Sequence, residues 1–202
     1  MRYYDYTTNG GHSDVANTSN ILFYETGAAN VPTLFTNTYV PGAVADHLTS
    51  SGGDLFGNPG VFDNGQMSIL RWLEAGVTAS YGTETEPCAF PQKFPQASVL
   101  VKNYFAGNTV GEAYLKSVAW PAQGVLVGDP MARPFGTKAT LVNGNLRITT
   151  TSLEPGATYR LYAASSNTGP FTQVATVSVP KNQFATINVA KMNSPVYKLE
   201  IP

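Results

Sequence analysis

The chain has 202 residues, 43% of them hydrophobic and only 12% charged, with a net charge of −1. That apolar share excludes a disordered chain, the near-neutral balance excludes a generally basic nucleic-acid binder, and no run approaches the roughly 20 apolar residues of a membrane-spanning helix. A single cysteine, Cys88, excludes an intrachain disulfide.

Along the first part, Ile21-Leu-Phe-Tyr-Glu-Thr is a short apolar run ending at Gly27, which predicts a buried strand. A second strand is expected over 33–39. Residues 41–48 read as a helix, with Pro41 in its first turn and Gly52-Gly53 as its stop. A further helix over 66–75 places Ile69, Leu70, Trp72 and Leu73 near helical spacing, and Gly76 ends it. A strand over 77–81 follows. Ser98 opens a helix that runs to Phe105 and stops at Gly107. Thr109 caps the next helix, with Glu112 completing a capping-box pattern. Gly124-Val-Leu-Val-Gly128 is a last buried strand. This order is the grammar of an α/β domain with a parallel sheet, here a partial one. The N-terminus, Met-Arg-Tyr-Tyr-Asp-Tyr, shows no apolar signal-peptide core, which leaves open whether Met1 starts the protein or the chain is a piece of a longer one.

Beyond Pro130, Pro134 and Gly136 the character changes. Residues 1–135 carry 6 basic and 11 acidic side chains, whereas 136–202 carry 6 and 2. Two domains with these bounds are expected. The second is all β, with strand-like runs at 139–142, 146–151, 158–164, 171–179, 184–189 and 196–201, separated by turn residues such as Asn143-Gly144 and Pro155-Gly156. Tyr159, Leu161 and Ala163 share one face by the two-residue period. Short alternating strands of this kind suit a small sandwich. The stretches Tyr159-Arg-Leu-Tyr-Ala-Ala-Ser, Gly169-Pro-Phe-Thr-Gln-Val-Ala and Val196-Tyr-Lys-Leu resemble fibronectin type III-like accessory modules.

Three blocks carry a second resemblance. They are Pro41-Gly-Ala-Val-Ala-Asp-His-Leu-Thr-Ser-Ser-Gly-Gly, Leu73-Glu-Ala-Gly-Val-Thr-Ala-Ser-Tyr-Gly-Thr-Glu-Thr-Glu-Pro, and Gly107-Asn-Thr-Val-Gly-Glu-Ala-Tyr continuing to Val127-Gly-Asp-Pro-Met-Ala-Arg-Pro-Phe. In this order they resemble the C-terminal half of an uncharacterised bacterial family of secreted hypothetical proteins. More distantly, the second and third blocks are similar to caspase-like cysteine peptidases of the gingipain type. The resemblance implies a caspase-like α/β layer, and a location outside the cell or on its surface.

The same likeness directs attention to a thiol and an imidazole, because the attacking species in such peptidases is a thiolate. Cys88 is the nucleophile on offer, and His12 and His47 are the bases. The chain departs from the gingipain pattern, since neither histidine precedes a glycine. Cys88 also lies between Pro87 and Pro91 beside Ala89 and Phe90, surroundings that raise a thiol pKa. Glu84 and Glu86 place two carboxylates at alternate positions after a strand, a spacing open to acid–base work. Asp46-His47 beside Thr49, Ser50 and Ser51 reads as a hydrolytic or metal cluster, though zinc needs more ligands. Asp54 and Asp63, in Gly/Asn-rich sequence, are candidates for holding Ca²⁺, and no other cofactor is expected. Gly128-Asp129-Pro130 lacks the phosphate-loop pattern, and Asp129 is expected to bond backbone at a turn. Trp72 and Trp120 read as core or domain-contact residues.

The leading expectation is a non-catalytic extracellular or cell-surface protein capable of self-assembly. Either another copy or a missing N-terminal segment would cover residues 21–24. The rivals are a cysteine peptidase-like hydrolase using Cys88 and His47, and a carbohydrate- or surface-binding module built on Tyr159, Tyr162 and Phe171. No nucleic-acid partner and no membrane span are expected.

Overall fold

A computed structural model describes residues 14–55, 66–84, 90–143, 145–151, 153–181, 185–190 and 194–202. The chain divides into two compact units, Met1–Tyr104 with Asn108–Pro134, and Phe105–Gly107 with Phe135–Pro202. Strands predominate and helices are few.

The first unit is built on one mixed sheet. Its strands are β1 (Ile21–Thr26), β2 (Tyr39–His47), β3 (Ala79–Thr83) and β4 (Gly124–Gly128), in that spatial order. β1, β2 and β3 are parallel, and β4 runs antiparallel to β3. The helices are α1 (Leu70–Glu74), α2 (Ala97–Phe105) and α3 (Val110–Ser117).

Three expectations for this unit are corrected. Residues 41–47 belong to β2, and no helix forms over 41–48. Ala43 through His47 are all buried, so this inner strand shows no apolar–polar alternation, and periodicity cannot separate such a run from a helix. The β1–β2 register jumps between Ile21–Tyr39 and Phe23–Val44, leaving Pro41-Gly42 in a bulge where Gly42 adopts φ +87°. Residues 33–39 are not one strand. Leu34–Thr36 is a 3₁₀ turn, because the Thr36 hydroxyl and amide both donate to the Thr33 carbonyl. Finally, β4 breaks the parallel pattern. The Gln96 amide donates to the Ser117 carbonyl at 3.0 Å, so the start of α2 lies beside the end of α3. A helical hairpin instead of a single crossover helix delivers the next strand in the opposite direction.

Alternation along β2 divides the core. Ala45 and His47 face the side of α1, where Trp72, fully buried, packs with Tyr24, Val31, Leu34, Met67, Ile69 and Val77. Val44 and Asp46 face the other side, where Tyr114 of α3 stacks on Tyr81 with ring centroids 6.0 Å apart. The capping box at the start of α3 is present as expected: Thr109 accepts from the Glu112 amide, and Glu112 accepts from the Thr109 amide. Trp120 differs from Trp72, being 44% exposed with its ring beside Phe90.

The second unit holds β5 (Lys138–Val142), β6 (Asn145–Thr150), β7 (Thr158–Ala164), β8 (Thr172–Ser178), β9 (Ala185–Ala190) and β10 (Val196–Glu200). They form two antiparallel sheets, ordered β10-β7-β8 and β5-β6-β9. Tyr159, Leu161, Val177, Val179 and Ile187 make its apolar cluster, with Leu146 and Ile148 packed against them. Each strand falls on one of the six alternating runs. Among the described residues no helix is long and apolar enough to cross a membrane.

Candidate functional site at the carboxyl ends of the parallel strands

Parallel strands bring their carboxyl ends to one edge, where open α/β sheets ordinarily place their sites. Here that edge holds Thr26, His47 and Thr83. Residues 48–54 cross it and are bound down by backbone and hydroxyl bonds. The Leu48 amide donates to the Thr26 carbonyl at 2.8 Å, and the Gly53 amide to the Thr83 carbonyl at 2.9 Å. The Thr83 hydroxyl lies 2.8 Å from the carbonyls of both Thr49 and Ser50. Gln66 Oε1 accepts from the Thr49 hydroxyl and the Ser51 amide. Gly53 and Gly82 are in backbone contact: a Cβ on Gly53 would collide with the Gly82 carbonyl, and one on Gly82 would come within 2.5 Å of the Gly53 nitrogen. A Cβ on Gly124 would likewise stand 2.5 Å from the Gly82 oxygen.

His47 lies beneath this crossing and is 1% exposed. The Trp72 indole Nε1–H donates to its Nδ1 at 3.0 Å. Nδ1 is therefore the acceptor nitrogen, and Nε2 carries the proton and donates to the Met67 carbonyl at 2.5 Å. Burial pushes the imidazole pKa down to about 4, against an upward pull from the Met67 bond. The ring is thus neutral near pH 7, with both nitrogens engaged.

Asp46 adjoins His47 in sequence, yet strand alternation sends it to the opposite face. It is fully buried and accepts from the Tyr81 amide at 2.7 Å, the Ser80 hydroxyl at 3.3 Å and the Tyr114 hydroxyl at 2.8 Å. The Asp46-His47 dipeptide is therefore not a cluster in space. Glu84 is exposed, and its amide donates to the Gln123 carbonyl at 3.1 Å. Asp54 is half-buried, its amide bonded to the Ser51 carbonyl. His12, Asp63, Glu86 and Cys88 lie outside the described residues. Among the described residues no three His, Cys, Asp or Glu side chains converge on a point where a metal would sit. Asp129 bonds backbone as expected, accepting from the Met131 amide at 2.9 Å.

A cavity of about 90 Å³ opens beside the Tyr81–Tyr114 stack, lined also by Leu115, Val118, Pro121, Gly124 and Leu126. Ligand pockets are ordinarily several-fold larger, and this one is apolar and of side-chain size. Sequence reasoning missed Glu25, whose position inside an apolar strand run was the available signal. It also missed the engagement of His47 by Trp72, which nothing local in sequence reveals.

No family model matches the chain, and no curated protein and no solved structure matches it.

Proposed function

We propose that this chain is a non-catalytic extracellular or cell-surface protein whose first unit is a structural platform of caspase-like type and whose second is a fibronectin type III-like sandwich. The observation that carries the reading is the state of His47. Its two nitrogens are occupied by Trp72 and Met67, and the ring is buried. A base for a cysteine nucleophile needs a free nitrogen within reach of the thiol. The parallel β1-β2-β3 order supports the caspase-like likeness, and the two antiparallel sheets around one apolar cluster support the sandwich. Among the described residues β1 forms one edge of its sheet, which supports self-association or cover by a preceding segment.

Alkylation of Cys88 by iodoacetamide against pH tests this reading. Slow reaction at pH 6, rising only towards pH 9 and unchanged in His47→Gln, is expected. Rapid alkylation at pH 6 that His47→Gln abolishes overturns it in favour of the peptidase.

A second reading, a carbohydrate- or surface-binding β module, draws on Tyr162 and Phe171. Both are half-buried, and the Lys198 ammonium stands 5.4 Å and 4.2 Å from their ring centres. Tyr159 belongs to the core instead, its hydroxyl accepting from the Glu154 amide. Glycan-array binding lost in Tyr162→Ala but kept in Glu154→Gln would support this module. Equal binding by both variants would remove it.

A further inference from the structure

Two carboxylic acids occupy paired positions on neighbouring strands of the first unit, Asp46 buried and Glu25 partly so. Glu25 on β1 and Asp46 on β2 are register partners in adjacent parallel strands, whose backbones run about 4.8 Å apart. Register partners share a face, so both acids lie on the side of α3. The groups around Asp46 are Ser80 and Tyr81 of β3 and Tyr114 of α3, and Tyr114 in turn senses Glu25 and Tyr104 of α2. Ser80 and the three tyrosines are neutral at pH 7. The ion pairs of Arg71 with Glu74 and of Lys198 with Glu200 lie elsewhere.

The two acids are treated differently by their neighbours. Asp46 receives three donors, an environment that suits an ionised carboxylate. Glu25 has an oxygen, Oε2, that is shut away from water and finds no hydrogen-bond partner. An ionised oxygen in that position forgoes its hydration without compensation, whereas a neutral carboxyl loses far less.

We propose that Glu25 and Asp46 hold one proton between them at neutral pH, carried on Glu25, and that its loss loosens edge strand β1 from β2. Burial raises the pKa of each acid to about 7, for Asp46 against the pull of its three donors and with Glu25 adding to the rise. The donors, which among the described residues only Asp46 has, place the shared proton on Glu25. Acids that sense each other's charge titrate as a pair, and the donors decide which holds the proton. Once both are ionised, like charges repel across the β1–β2 ladder. β2 is held by strands on both sides, while β1 pairs only with β2 among the described residues. β1 is therefore the element that yields. The pair is a pH-sensitive clasp on a sheet edge, independent of any ligand at the carboxyl ends of the strands.

Carboxyl-carbon NMR on the intact chain tests the assignment. The Glu25 Cδ signal is expected to titrate above pH 6, with Asp46 Cγ ionised throughout that range. A Glu25 midpoint in the ordinary range of pH 4 to 5, or Asp46 titrating above pH 6 in its place, overturns the proposal. Amide exchange at Phe23–Thr26, compared at equal pH with Glu25→Gln, tests the consequence. The ratio of wild-type to variant exchange should rise about tenfold between pH 6 and pH 8.5, the response to the roughly one unit of titration that remains between pH 6 and a midpoint near 7. A ratio that stays constant between the two pH values refutes the clasp. The wild-type titration decides the matter even where the variant fails to fold.

Discussion

The imidazole of His47 illustrates how a residue with catalytic credentials becomes structural. Its pKa is depressed, so the folded chain binds its proton less tightly than the unfolded chain does. The stability it contributes is complete above the unfolded value of 6.5 and is lost as pH falls through about 4. Long-range ¹H–¹⁵N spectra should show a neutral ring protonated at Nε2 at pH 6, whereas an ordinary histidine would be largely charged. Trp72→Phe keeps most of the ring packing but removes the donor to Nδ1. It should cost about 1–3 kcal/mol in urea unfolding, the range for leaving a buried acceptor unsatisfied. A wild-type midpoint in that experiment would mean water replaces the indole. None of this was legible in sequence, because Trp72 and His47 are 25 residues apart and meet only through tertiary packing.

At the scale of elements, the start of α3 was legible and β2 was not. Thr109 and Glu112 bond each other's backbone locally, so a four-residue pattern sufficed to place the start of the helix. Thr109→Ala should lower stability by about 1 kcal/mol, and Thr109→Ser should restore most of it, both read from chemical denaturation. β2 was hidden because a strand covered on both faces has no alternation to detect. The runs of the second unit were legible for the opposite reason: Tyr159, Leu161 and Ala163 are buried, while Thr158 and Arg160 between and beside them are exposed. The pairing of Glu25 with Asp46 needed the β1–β2 register, which a bulge shifts and no local pattern encodes.

On the scale of the whole molecule, each unit has an apolar cluster of its own, one around Trp72 and one around Leu161. Both tryptophans belong to the first unit, so indole fluorescence reports on it alone. Leu161→Ala should destabilise the second unit by about 2–5 kcal/mol. Its far-UV circular dichroism transition should move to lower temperature while the tryptophan transition stays in place. A common shift of both signals would show that the clusters melt as one cooperative body. Charge follows the same division, with the acidic excess before residue 136 and the basic excess after it.

The backbone contact among Gly53, Gly82 and Gly124 bears on how this lineage will look to an evolutionary reader. A single added methyl at Gly53 or Gly82 strikes main chain, which no neighbouring side chain can relieve by moving. Homologues that keep the sheet must therefore keep glycine at both positions, whatever their biological roles have become. Aligned, they will display invariant glycines around the carboxyl ends of the strands, the very pattern by which a ligand-cradling loop is usually recognised. In this lineage that invariance will record the geometry of inheritance, and selection for a ligand must be sought in the side chains that vary around it.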